Sequence, residues 1–165
     1  ETRYSYNEAI RLFEQGSLEI GEEGEKYITI QEGQAKGKLI GGNLSLVKGM
    51  IAGKYSIDFT NKILFREELG DETSPKLVSN YLYLLKQNDI FKKIKGIWLG
   101  NYEHESKITL EQLVLDCLEG EYKIPIIKSN NFGHIENKTV IPIGTEAKID
   151  TKKEIKIELI EKCVK

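Results

Sequence analysis

The chain has 165 residues, enough for one domain with its own core, and its 39% hydrophobic and 30% charged residues are those of an ordinary globular fold. The balance of 24 basic against 26 acidic side chains, net −2, gives no field that argues for nucleic acid or an anionic membrane as partner. No apolar run approaches the roughly 20 residues needed to span a bilayer, and the N-terminus lacks the charged-then-apolar pattern of a secretion signal.

In chain order, residues 4–14 read as a helix with Ala9, Ile10 and Phe13 on one side. Gly16, Gly21 and Gly24 then break the pattern, and the acidic run from Glu19 to Glu25 reads as an exposed connector. Residues 26–30 alternate as a strand, and 35–40 make a second strand after the turn residues Glu32 and Gly33. Gly41-Gly42-Asn43 is expected to interrupt that strand and open a short helix with Leu44, Leu46, Val47 and Met50, capped by Asn43. Ile63-Leu64-Phe65 is a continuous apolar run, as expected of a strand covered on both faces.

Ser74-Pro75 starts the clearest helix, because serine caps and proline fits the first helical position. Its apolar stripe is Leu77, Val78, Tyr81, Leu82, Leu84 and Leu85. Gly96 to Gly100 reads as a short buried strand. Thr109 opens a further helix, with Gln112 completing a capping box, Leu110, Leu113, Val114, Cys117 and Leu118 facing inward, and Gly120 ending it in the left-handed conformation. Strands are expected over 124–127, with Pro125 near the start, and over 138–143, 146–150 and 154–160. This order of elements points to a mixed α/β domain.

Two segments carry candidate chemistry. Lys62-Ile-Leu-Phe-Arg-Glu-Glu68 runs an apolar strand into two carboxylates. A carboxylate at the end of a buried strand is costly unless paired or hydrogen-bonded, and orienting an imidazole is one such pairing. Alternation sends Glu67 and Glu68 to opposite faces. Asn130-Asn-Phe-Gly-His134 sets one of only two histidines on a glycine-punctuated loop, where it can change charge near neutral pH. Taken singly, each has a plainer explanation: a solvated turn for Glu67 and a surface loop histidine for His134.

Gly41, Gly42 and Asn43 lack the third glycine spacing of a dinucleotide fingerprint. They fit either a backbone-to-ligand approach with the Asn43 amide orienting the ligand, or a plain strand-to-helix turn. His104 lies in a polar loop. Two distant histidines without HExxH spacing argue against a metal centre, and no cofactor is expected. Cys117 and Cys163 suggest neither a disulfide scaffold nor a zinc site, and Cys117 reads as a buried free thiol that fits a reducing cytoplasm.

Five motifs in order, Gly37-Lys-Leu-Ile-Gly-Gly-Asn-Leu44, Lys62 to Glu68, Gly96-Ile-Trp-Leu-Gly100, Phe132-Gly-His134 and Ile141-Pro-Ile-Gly144, resemble the C-terminal domain of the LD-carboxypeptidase family over roughly residues 31–150. This family is also called muramoyl-tetrapeptide carboxypeptidase and includes the microcin C immunity peptidases. The resemblance implies a swivelling β/β/α-type domain, with a mixed sheet or open barrel and flanking helices. It implies a Ser-His-Glu serine peptidase in which Glu67 and His134 match the glutamate and histidine, while the serine and oxyanion donors belong to an N-terminal domain. Residues 1–24 are then a helix and connector and 25–165 the domain proper. The start at Glu1 suggests a piece cut from a longer protein or a processed one, and with the missing GxS elbow the expectation is the C-terminal portion of a two-domain peptidase. The implied partners are a murein peptide or other peptidyl substrate, the N-terminal domain and a second copy in a homodimer, in the cytoplasm. The family commonly has an apolar residue before the glutamate and aspartate after it; here Arg66 and Glu68 stand there, and Arg66 is the larger departure. The resemblance favours an L,D-carboxypeptidase acting on murein tetrapeptide; a peptidyl-nucleotide hydrolase like the immunity members and a non-catalytic binding module of the same fold are the rival readings.

Overall fold

A computed structural model describes residues 2–21, 25–68, 74–102 and 104–164. The elements in chain order are α1 (Arg3–Phe13), β1 (Ile28–Gln31), β2 (Gln34–Asn43), α2 (Leu44–Ala52), β3 (Lys62–Glu68), α3 (Pro75–Gln87), α4 (Ile90–Lys93), β4 (Gly96–Tyr102), α5 (Leu110–Leu118), β5 (Ile126–Lys128), β6 (Glu146–Asp150) and β7 (Ile157–Leu159). The strands form one curled mixed sheet in the order β1-β5-β4-β3-β2-β6-β7. Strands β2, β3, β4 and β5 run parallel to one another, whereas β1, β6 and β7 pair antiparallel.

Alternation along the parallel strands builds two cores. Ile40, Leu64, Ile97, Leu99 and Ile126 face the helices α2 to α5. Leu39, Ile63, Phe65, Trp98 and Ile127 face the inside of the curl, where Leu12 of α1, Phe132 and residues of β6 and β7 fill the space. The apolar run in β3 is thus covered on both faces, as its composition requires.

Several caps form as the sequence dictates. Ser74 accepts from the Leu77 amide with Pro75 at the start of α3, and the Asn43 side chain accepts from the Ser45 and Leu46 amides. The Thr109 hydroxyl accepts from the Gln112 amide, but the Gln112 side chain bonds Asp116 instead, so the capping box is only half made.

Other expectations are corrected. The strand over 138–143 is absent, because its residues form the irregular return of the histidine loop, and 154–160 contracts to β7. β1 and β2 follow one another in the chain yet do not pair; β1 binds β5 at the sheet edge. Leu77 points outward, leaving Val78, Leu82 and Leu85 as the buried seam of α3. Of the acidic connector, residues 22–24 lie outside the described set. Ile20 and Gly21 are buried and Glu25 is half-buried and hydrogen-bonded, so these three residues are packed rather than solvated, while Glu19 is exposed as expected.

Gly41 and Gly42 do not interrupt β2, which runs through Asn43 directly into α2. Both have positive φ, 144° and 138°. A Cβ at Gly41 would lie 1.8 Å from the Phe65 carbonyl oxygen of β3, whereas at Gly42 it would meet nothing within 4 Å. Backbone strain alone therefore predicts that Gly42→Ala costs about 1–3 kcal/mol. Gly41→Ala is expected to cost distinctly more, because β2 and β3 must also separate; urea denaturation of both variants checks the order.

Arg66 and Glu68 alternate with Glu67 and turn toward the helices, both about 1% exposed. Among the described residues no nitrogen of the Arg66 guanidinium has a hydrogen-bond partner. Burial lowers its pKa to about 10, against the opposing pull of the Glu68 charge. Glu68 accepts from the Asn43 amide at 2.8 Å. These two buried opposite charges, which interact without a hydrogen bond or close ion pair between them, predict opposite outcomes for single and double replacement. Glu68→Gln, which removes the opposing charge near the buried guanidinium, is expected to be destabilising by up to about 3–5 kcal/mol. Arg66→Met with Glu68→Gln is expected to be neutral or stabilising by up to about 4 kcal/mol, read as the urea midpoint.

Candidate active site

The parallel strands present their C-terminal ends along one rim of the sheet, the side on which open α/β sheets collect ligands. β3 delivers Glu67 there. Its parity with Ile63 and Phe65 turns it to the inside of the curl, and its side chain is 8% exposed.

The histidine arrives on the loop after β5. That loop is irregular, yet it is pinned at its base by an aromatic anchor. Phe132 is buried against Trp98 of β4, with ring centroids 4.6 Å apart, and meets Phe65 of β3 edge-on at 6.1 Å. Gly100 makes room for it: a Cβ there would lie 2.4 Å from the Phe132 ring. The Phe132 carbonyl also accepts from the Asn101 amide at 3.1 Å. The next residue, Gly133, has φ 115° and passes so close to Glu67 that a Cβ would sit 3.1 Å from its carboxylate. The chain then turns His134 back onto that carboxylate.

His134 Nδ1 lies 3.0 Å from Glu67 Oε2. An ionised carboxylate only accepts, so Nδ1 carries the proton and donates it, leaving Nε2 as the accepting nitrogen. The His134 side chain is 57% exposed while Glu67 is buried. The arrangement is an oriented imidazole at an open rim, its tautomer held by a carboxylate beneath it. It can take a proton at Nε2 and have the resulting positive charge balanced.

The other candidates divide. Asn43 stands at the same rim, in register with Glu67, but its amide is committed: Oδ1 caps α2 and Nδ2 bonds Glu68. Gly41 is accounted for by the approach of β3, and only Gly42 presents an open face. His104 bonds locally to Ser106, with Nδ1 2.9 Å from its hydroxyl. Among the described residues no group of three His, Cys, Asp or Glu side chains could hold a metal ion. Cys117 and Cys163 are free thiols, and burial pushes the Cys117 thiol up to about 11. No helix among the described residues is long and apolar enough to cross a membrane.

Residues supporting the loop escaped the reading of the sequence. In the sequence Asn131 is legible only as part of a loop and Glu25 only as part of a connector, although both hold the neck of the histidine loop. The one available signal was Phe132 itself, a lone aromatic in a polar loop.

Comparison with known proteins bears on this arrangement. The family described as LD-carboxypeptidase C-terminal domain matches residues 36–149. A Bacillus subtilis (strain 168) protein named "Probable murein peptide carboxypeptidase" is 28% identical over 156 residues, covering 91% of this chain and 47% of that protein. The microcin C7 self-immunity protein MccF of Escherichia coli is 28% identical over 72% of this chain and 35% of its own length. The chain thus spans at most about half the length of these curated relatives. Among solved structures, an MccF-like protein from Bacillus anthracis strain Ames superposes with a TM-score of 0.67 at 33% identity, covering 82% of this chain and 43% of that one. Wild-type apo MccF shares the fold with a TM-score of 0.80 at 21% identity, over 97% of this chain and 56% of that one. With a family match spanning most of its length and a curled sheet shared with these structures, the chain belongs to the LD-carboxypeptidase C-terminal domain family.

Proposed function

We propose that this chain is the catalytic C-terminal half of a serine L,D-carboxypeptidase that releases the terminal D-amino acid from murein tetrapeptide, in the cytoplasm. The observation that carries the reading is the 3.0 Å contact between Glu67 and His134, with the imidazole exposed at the rim. A serine from a domain outside this chain completes the set. His134 Nε2 takes the serine proton as the oxygen attacks the peptide carbonyl, and Glu67 balances the imidazolium. The imidazolium then protonates the leaving amine as the C–N bond breaks, and water hydrolyses the acyl-serine by the same route. The family membership and the murein peptide relative support this substrate class.

A second reading has its own support: structures of MccF hold glutamyl sulfamoyl guanosine and aspartyl sulfamoyl adenosine. A peptidyl-nucleotide substrate uses the same proton transfers on a different acyl partner. Gly42, open toward the rim, is offered as backbone against which either substrate lies, with Gly41 and Asn43 shaping its support.

The 165-residue chain alone is expected to show no peptidase activity, since on this reading the nucleophile and the oxyanion donors belong to a domain outside it. In the full-length protein, His134→Ala and Glu67→Gln are each expected to lower kcat by about 10²–10⁴-fold with little change in KM. Assays on a murein tetrapeptide and on a peptidyl-nucleotide separate the two substrates. Full activity in both variants would favour the non-catalytic module.

A further inference from the structure

The histidine loop has little regular structure of its own, so something outside it must hold its neck. Asn131 and Thr139 stand on either side of His134, and the Thr139 amide donates to the Asn131 carbonyl at 2.6 Å. Both side chains bond one carboxylate, that of Glu25. Asn131 Nδ2 donates to Oε2, and the Thr139 hydroxyl donates to Oε1 at 3.1 Å. The same carboxylate accepts from the Tyr4 hydroxyl of α1 at 2.5 Å and from the Tyr27 hydroxyl at 3.4 Å.

The network continues inward. Asn131 Oδ1 accepts from the Ser129 hydroxyl at 2.5 Å, and that hydroxyl accepts from Trp98 Nε1 at 2.8 Å. Trp98 is the ring on which Phe132 packs. α1 adds a second tie, because the Ser5 hydroxyl donates to the Lys138 carbonyl at 3.1 Å and accepts from the Lys138 amide at 3.3 Å. α1 is itself locked to the segment leading to Glu25. The buried Glu8 carboxylate accepts from the Gly21 amide at 3.0 Å, and Arg11 bridges Glu8, Ser17 and the Gly21 carbonyl. Burial, reinforced by the bond to Glu25, raises the Tyr4 hydroxyl pKa well above its ordinary value, and burial with the Glu25 charge does the same for Tyr27. Both remain donors through the physiological range.

We propose that Glu25 is a positioning residue for the His134–Glu67 pair, tying both ends of the histidine loop to α1. This rests on the proposed catalytic role of that pair for its consequence in turnover, though not for its structural content. A carboxylate suits the task because it has four acceptor positions and no donor, matching four donors from three segments. α1 and Glu25 thereby decide how the imidazole is presented, without touching substrate.

The test uses the ¹⁵N-labelled 165-residue chain and long-range ¹H–¹⁵N spectra of its two imidazoles at a pH where both are neutral. The unsubstituted chain is expected to show His134 protonated at Nδ1, with His104 as internal reference. Glu25→Ala is expected to give a mixed His134 tautomer and at least about tenfold faster amide exchange over 131–138 by loss of local protection, with His104 unchanged. Glu25→Gln sets an amide donor against Asn131 Nδ2 and is expected to show the same loss in part. Glu25→Gln with Asn131→Asp reverses that donor–acceptor pair and is expected to restore the Nδ1 signature. Should Glu25→Ala fail to fold, Glu25→Gln and the double variant carry the test alone. An Nδ1-protonated His134 and unaltered exchange in the folded Glu25 variants would overturn the proposal. In the full-length protein, Glu25→Ala is expected to lower kcat about 10–100-fold with KM nearly unchanged. Turnover that survives loss of the tautomer signature would count against the catalytic reading of the pair, not against the positioning role.

Discussion

The packing of Phe132 between Trp98 and Phe65 is the contact on which the candidate site depends. A loop without regular hydrogen bonding has no intrinsic reason to hold one conformation. Burying a phenylalanine contributes about 2–3 kcal/mol, and edge-on aromatic contacts add to it. That is enough to fix the base of a short loop, and it fixes the chain two residues before the imidazole. Gly100 and Gly133 serve this contact from either side: one leaves space for the ring, the other lets the backbone pass the carboxylate.

Strand β3 carries two separate electrostatic arrangements on its two faces. Glu67 turns to the rim and meets an exposed imidazole. Arg66 and Glu68 turn to the helix side, where a guanidinium without hydrogen bonds is tolerated beside a carboxylate that also engages Asn43. Asn43 in turn caps α2. The end of β3, the end of β2 and the start of α2 are therefore linked through side chains, so a departure such as Arg66 acts on the frame of the site while leaving Glu67 on its own face.

The N-terminal helix belongs to the same mechanical unit as the histidine loop. Its contacts reach the loop through Ser5 and Lys138 and through Tyr4 and Glu25, while Leu12 and Ile20 join the core inside the curl. A segment that reads as a connector is thereby part of what shapes the rim. Among the described residues the other helices lie on the opposite face of the sheet, and α1 is the helix placed to brace this loop.

The buried side of α1 is Ser5, Glu8 and Leu12 rather than the expected Ala9, Ile10 and Phe13, but local patterns in the sequence determined the extent of α1, the periodicities of α3 and α5, the two-faced burial of β3, the caps at Asn43, Ser74 and Thr109, and the opposite orientation of Glu67 and Glu68. Each depends on neighbours within a few residues, so short-range spacing is sufficient. The pairing of β1 with β5, the irregular course of 138–143, the committed amide of Asn43 and the hub at Glu25 depend on partners far away in the chain, and no local pattern encodes them. The same holds for the central feature. The carboxylate and the imidazole are 67 residues apart, and they meet because parallel strand order and the burial of one phenylalanine bring them to the same rim, a proximity that tertiary packing alone decides.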